Sequence, residues 1–250
     1  MSSVMKFFTL GALALGLSAH AGNKPCADLP NYEAFKKALV EARAATNGGL
    51  NFDMWGTLLD RSGEVCAVAY TGSNLNAQWL GSRVISAQKA NTANAFSQNG
   101  LALSTANLYS AVQPGGSLFG LQASNPVNPE AAYKGDFSKF GTTSDPLVGH
   151  RVGGVNVFGG GLALYNTKGE FMGAIGVSGD TSCADHNIAW RLRKTLDLDH
   201  IPGGVSGDKS DQIVYDIRGG KSHGGYGHPT CGGKEDKIVA SLPKVAPVKK

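Results

Sequence analysis

Two stretches share one build: LLDRSGEVCAVAY from Leu58 and LYNTKGEFMGAIGV from Leu164 each run apolar segment, polar turn, Gly-Glu, second apolar segment. Asp60-Arg61-Ser62-Gly63 and Thr167-Lys168-Gly169 are rich in residues that accept the backbone conformations of short hairpin loops, so each stretch predicts a β-hairpin. Two hairpins with helical segments between them constrain the fold strongly. The expected class is α/β (α+β), with a central antiparallel sheet flanked by helices. GGVNVF, from Gly153, predicts a further short strand ahead of the second hairpin.

The helices are read from spacing. In YEAFKKALVEARAA the residues Phe35, Ala38, Leu39 and Ala42 fall on one face, and Asn47-Gly48-Gly49 ends the pattern. QWLGSRVISAQKANTANAFSQNG puts Leu80, Val84, Ala87 and Asn91 on one stripe with Ile85 beside it, and STANLYSAV adds a shorter helical piece. Both are rich in Ala, Ser and Asn, so one face can approach a backbone or a flat ligand closely. The last helix is expected over Ala184 to Leu196, with Ile188, Leu192 and Leu196 four residues apart. Between Pro114 and Gly154, glycine, proline and asparagine without periodicity predict a long loop.

The ends of the chain bear on location. MSSVMKFFTLGALALGLSAHA combines Lys6, an apolar run from Phe7 to Leu17, and small residues at Ala19 and Ala21, the build of a secretory signal peptide over 1–21. Its apolar run is short of the roughly 20 residues that span a bilayer, and no later segment approaches that length. Cleavage before Gly22 removes one lysine and takes the formal charge from +4 to +3. Such a mild charge, with Arg and Lys scattered rather than striped, excludes a nucleic-acid partner. LPKVAPVKK at the C-terminus is expected to be a solvated tail. An exported chain with four cysteines, Cys26, Cys66, Cys183 and Cys231, should form disulfides. Three connectivities are open, with Cys26–Cys66 and Cys183–Cys231 preferred.

The chemistry concentrates in GGGLALYNTKGEFMGAIGVSGDTSCADHNIAWRLR, which ends in a glycine turn and a helix entrance. Ser182 with Asp185 can cap that helix. Alternatively, the amides of Gly176-Val177-Ser178-Gly179 and the positive end of the helix can seat a carboxylate or phosphate. Cys183 and His186 stand one turn apart, so a thiolate–imidazole pair is geometrically open, but an even cysteine count in an oxidising compartment argues against a free nucleophile. His186 can also act as a general acid or base oriented by Asp180 or Asp185. In HGGYGHPTC, His223, His228 and Cys231 have metal-ligand chemistry but no matching second half, so no metal site is assigned.

Four segments in order, SRVISAQKANTANAF, VQPGGSLFGLQ, GGVNVFGGGLALYNTKGEFMGAIGVSGD and ADHNIAWR, resemble the GlcG/HbpS family of haem-binding proteins, the DUF336 domain, over roughly Tyr32 to Leu196. The resemblance implies one profilin-like α/β domain over 22–199, assembled into a homo-oligomer, and haem as cofactor in some members. It also implies an iron contact at the threonine of a Lys-Ala-x-Thr-Ala motif, here Lys89-Ala90-Asn91-Thr92-Ala93. Other members of the family accompany glycolate-utilisation enzymes or form part of a cobalamin adenosyltransferase. This chain departs from the pattern by an insertion at about 122–153, by its four cysteines, and by a Gly- and Lys-rich extension over 200–250.

Two functions follow as expectations. One is an exported haem-binding or haem-sequestering protein, periplasmic or secreted. The other is an enzyme or binding protein for a small hydroxy- or oxo-acid, using the glycine turn and His186, and whether there is catalysis is open. Both place the ligand among Lys89, Thr92, Gly176, Ser178, Gly179, Asp180 and His186. Leu118, Phe119 and Leu121 are expected to dock on a second copy.

Overall fold

A computed structural model describes residues 24–249, so the leader expected over 1–21 lies outside the described residues. The two hairpins form as expected. The first pairs β1 (Trp55–Asp60) with β2 (Val65–Tyr70), and the second pairs β3 (Gly161–Tyr165) with β4 (Phe171–Ser178). They join through antiparallel pairing of β1 with β4, Trp55 opposite Ser178 and Asp60 opposite Gly173, giving the order β2-β1-β4-β3. GGVNVF is not a strand. Its Asn156 amide donates to Thr92 Oγ1 at 2.9 Å and Gly154 O accepts from Asn91 Nδ2 at 2.7 Å, while Gly153 makes a single antiparallel bridge to Val127 and the Val155 amide donates to Asn125 O, so side chains and an irregular loop rather than a neighbouring strand satisfy this backbone.

Alternation along the strands feeds two cores. On one face, Leu58, Ile175, Val177, Leu162 and Leu164 pack against α1 (Tyr32–Ala44) and α5 (Ser182–Thr195), which contribute Phe35, Leu39, Ile188 and Leu192. On the other, Trp55, Leu59, Val65 and Val68 meet Val84, Ala87 and Ala90 of α2 (Ser82–Phe96). Each fully buried Leu or Phe stabilises the fold by roughly 1.5–3 kcal/mol. The first helix starts where Asn31 accepts from the Ala34 amide at 2.9 Å. It stops where the Asn47 side chain folds back to donate to Ala42 O at 2.9 Å and Ala45 O at 2.8 Å.

The small residues of α2 allow a close approach, and the sheet supplies the complementary gap. A methyl group added at Gly176 would collide with Ser86 O and the Ala90 amide, so strand and helix backbones touch there. Gly176→Ala is expected to lower the unfolding free energy by about 2–3 kcal/mol through overpacking. Thermal unfolding checks this; an unchanged midpoint would mean that the helix rides further from the sheet than described.

The long segment after Pro114 is more ordered than its composition suggests. It contains two short helices, α3 (Leu121–Ser124) and α4 (Pro129–Tyr133), and lies over α2 and the β2 edge. A buried pair fixes it: Asp145 accepts from Arg83 Nε at 2.9 Å and from Arg83 Nη2, while Phe140 covers the guanidinium at 3.6 Å. A periodicity argument cannot see this anchor, because Arg83 and Asp145 are 62 residues apart.

The extension also binds back. Asp211 takes both Nη atoms of buried Arg193 at 2.7 Å, Ser110 Oγ donates to Gly227 O at 2.6 Å, and Cys231 is bridged to Cys183. Within this strap, 210–231, β5 (Ile217–Arg218) pairs with β6 (Lys221–Ser222), and α6 (Glu235–Ser241) follows it. The expected solvated tail is docked instead. Trp190 Nε1 donates to Pro243 O at 2.8 Å, Ala246 N to Asp199 Oδ2 at 3.0 Å, and Lys249 N to Thr167 O at 2.8 Å. The second bridge, Cys26–Cys66, holds the N-terminal lead to β2, so of the three connectivities the preferred one is formed.

Candidate functional site

The seven residues singled out in the sequence gather where α2, the end of β4 and the entrance of α5 meet, and all seven are buried. The centre is a pair between helices on opposite faces of the sheet. Lys89 Nζ donates to Asp185 Oδ2 at 2.7 Å and to Val177 O at 3.3 Å. The two side chains meet beside Gly160, where a methyl group would press on Asp185 Cβ at 3.0 Å and Lys89 Cδ at 3.2 Å. Burial pushes the Asp185 carboxyl up to about 6, against the opposing pull of the Lys89 ammonium.

The helix entrance is capped one residue earlier than expected. Thr181, not Ser182, is the cap, accepting from the Ala184 amide at 3.3 Å, and Asp185 Oδ1 accepts from the Asp180 amide at 3.0 Å. Asp180 in turn accepts from Leu50 N at 2.8 Å, Phe52 N at 2.9 Å and Thr181 N at 2.6 Å. The amides at the helix entrance, Asp180 and Thr181, are therefore met by the chain's own carboxylates, and the Val177 amide of the turn donates to Gly160 O at 2.8 Å. Gly179 serves the same closure, since a methyl group there would strike Asp53 O as the preceding strand passes. Ser178 ends β4 opposite Trp55.

Thr92 is similarly engaged: its hydroxyl donates to Gln88 O at 2.7 Å and accepts from Asn156 N at 2.9 Å. It ties the helix to the segment before β3. Cys183 is bridged to Cys231, so it offers no thiolate to His186.

His186 is held by neither Asp180 nor Asp185. Its Nε2 lies 2.8 Å from Gln212 Oε1 and 3.1 Å from the Ile213 amide, both in the strap. Its Nδ1 is buried with no hydrogen-bond partner among the described residues. Above it, His228 places its Nδ1 2.7 Å from Pro229 O, receives the Gly159 amide at Nε2 at 3.4 Å, and rests on Tyr109 with ring centres 5.1 Å apart. Tyr109 also touches the exposed Phe158. Gln212 and Tyr109 carried no signal in the sequence and His228 was read there only for its metal-ligand chemistry, because each reaches the site through long-range folding of the extension or of a helical turn. His223 stays exposed and apart.

Burial lowers both imidazoles to about 4 from the ordinary 6.5. A depressed histidine stabilises the fold fully above 6.5, and that contribution is lost as the pH falls through about 4. The raised Asp185 acts the other way, giving stability that is present below 3.8 and lost as the pH rises through about 6. Two histidines outweigh one aspartate, so acidification from pH 6.5 to 4 is expected to cost on the order of 3 kcal/mol. Urea unfolding of the oxidised chain at the two pH values tests this; equal midpoints would contradict it.

A family described as haem degrading protein HbpS-like matches residues 31–192. The chain belongs to the HbpS-like family. The site helices, the sheet and the glycine turn fall inside the matched span, whereas the strap and its disulfide partner Cys231 fall outside it. No curated protein matches significantly. Among solved structures, a crystal structure of a PduOC:haem complex is similar at TM-score 0.46 and 23% identity, over 66% of this chain and 91% of that one. A DUF336 protein, ORFY of Klebsiella pneumoniae, is similar at TM-score 0.45 and 25% identity, over 67% and 90%. No described helix is long and apolar enough to cross a membrane.

Proposed function

We propose that this chain is an exported haem-binding or haem-sequestering protein whose ligand enters between α2 and the entrance of α5 when the 210–231 strap lifts. The observation that carries the reading is membership of the HbpS-like family over the residues that build this region. The side chains there were tested for fit to haem by their unused polar atoms. His186 fits, since its Nδ1 is buried without a partner and imidazole is a common axial ligand of haem iron. Thr92 is the less suited iron contact, because its hydrogen goes to Gln88 O and one of its two lone pairs to the Asn156 amide, and a neutral hydroxyl is a weaker iron ligand than imidazole.

Haem would supply the iron chemistry when bound, and the chain's residues do the rest. His186 offers a neutral ring nitrogen, because burial keeps its proton off down to about pH 4. Lys89, one helix turn from Thr92, would be the cation nearest to hand for a propionate, and Asp185 holds that ammonium in place in the closed form. Tyr109, Phe158 and His228 form the aromatic cover. Gly176, Ser178, Gly179 and Asp180 shape the floor rather than donate to ligand. The small-acid reading is less favoured, because the Asp180 and Thr181 amides at the helix entrance already face Asp185 and Asp180 and the Val177 amide is taken by Gly160 O.

The cysteines and the leader-like segment at 1–21 support export, and exposed Phe119 supports docking on a second copy. Titration of the purified chain with haem should give a saturable Soret band. His186→Ala should abolish or shift the band, and Thr92→Ala should leave its position unchanged. A stable band means binding, and decay with reductant and oxygen means turnover. A thermal shift with hydroxy- or oxo-acids and no Soret band would transfer the reading to the acid.

A further inference from the structure

A cluster of metal-ligating side chains joins the strap to α5. Cys183 opens α5, Cys231 and His228 lie on the strap, and a ring nitrogen and both sulfurs come within 4.8 Å of one another. The Cα atoms of the two cysteines are 6.1 Å apart. Two thiolates at the roughly 2.3 Å bond length of a tetrahedral zinc ion stand about 3.8 Å apart, which side chains on this backbone can span. His228 donates from Nδ1 to the Pro229 carbonyl, the kind of second hydrogen bond that metal-bound histidines make, which leaves Nε2 as the nitrogen with a lone pair, met among the described residues by a long contact from the Gly159 amide. Ser182 Oγ, 3.6 Å from Cys231 Sγ, borders the remaining position, which a water can fill.

We propose that this strap closure has two chemical forms: a disulfide when oxidised, and a Cys183–Cys231–His228 site for a thiophilic divalent cation such as Zn2+ when reduced. A dithiol or phosphine reductant delivers two electrons to the S–S bond. The bond breaks and two protons complete the thiols, while the dithiol becomes its own disulfide or the phosphine takes oxygen from water to become its oxide. Binding the cation then releases both thiol protons as two sulfur–metal bonds form. The 231 end of the strap stays tied to α5 in either form, and the site does not depend on haem being the ligand.

The test uses the full chain, reduced with a phosphine and titrated with Co2+ as a coloured stand-in for Zn2+. One Co2+ per chain should bind with a thiolate-to-cobalt charge-transfer band, and the thermal midpoint of the reduced chain should rise. Cys183→Ser and Cys231→Ser should each lose the band, and His228→Ala should weaken binding by at least about 100-fold. A chain carrying Cys26→Ser with Cys66→Ser should bind as before. The oxidised chain should show no band. Unchanged affinity in His228→Ala, loss of the band in the Cys26/Cys66 variant, or a reduced chain that neither binds Co2+ nor is stabilised by it would each overturn the proposal.

Discussion

Replacing Asp211 by alanine is expected to lower the unfolding free energy by about 3–5 kcal/mol, the cost of leaving a buried guanidinium without its counter-charge. Arg193 and Asp211 are both fully buried and share two hydrogen bonds of 2.7 Å. With the carboxylate gone, Arg193 keeps one hydrogen bond, to Ala163 O at 3.0 Å, and its contact with the Trp190 ring. Its Nε already lacks a partner among the described residues, so the loss falls on a group with nothing in reserve. Urea unfolding measures the change. A loss below about 1 kcal/mol would mean that water reaches the pair and that the strap is not sealed there.

The second large effect belongs to the strap's covalent fastening. Serine at both Cys183 and Cys231 removes a link between residues 48 apart, and chain-entropy arguments give about 4 kcal/mol for a loop of that size. The same pair of changes at Cys26 and Cys66 opens a loop of 40 residues and should cost nearly as much in stability. Only the first should expose His186. Proteolysis separates the two cases: cleavage between 210 and 231 should accelerate in the Cys183/Cys231 variant and not in the other. Equal protection in both would show that Arg193–Asp211 alone closes the strap.

The central sheet and the three long helices were legible because burial imposes simple periods on them. Phe35, Leu39 and Ala42 on α1, and Leu162 and Leu164 on β3, point to the core at the spacing their elements require. The glycines were harder. Gly176 and Gly179 read in sequence as a turn with open amides, yet they are there because Ser86 O and Asp53 O lie against them. A glycine that exposes a backbone and one that admits another backbone look identical until the partner is known. Apart from its bridge to Cys183, which the cysteines pointed to, the strap was illegible for a different reason. Its anchors, Asp211 to Arg193, Gly227 to Ser110 and Gln212 to His186, are single polar contacts spread over a glycine-rich segment with no period. Thr92 shows the limit of a motif: Lys89-Ala90-Asn91-Thr92-Ala93 was visible, but that its hydroxyl holds Asn156 depends on a residue 64 positions away.

Hydrogen exchange of the intact, oxidised chain with and without haem tests most directly whether the ligand binds beneath the strap. The account predicts faster exchange at amides in 210–231 when haem is bound, including Ile213, whose amide contacts His186 Nε2 in the closed form. Unchanged or slower exchange across 210–231 in a chain that has bound haem would place the ligand elsewhere and contradict it.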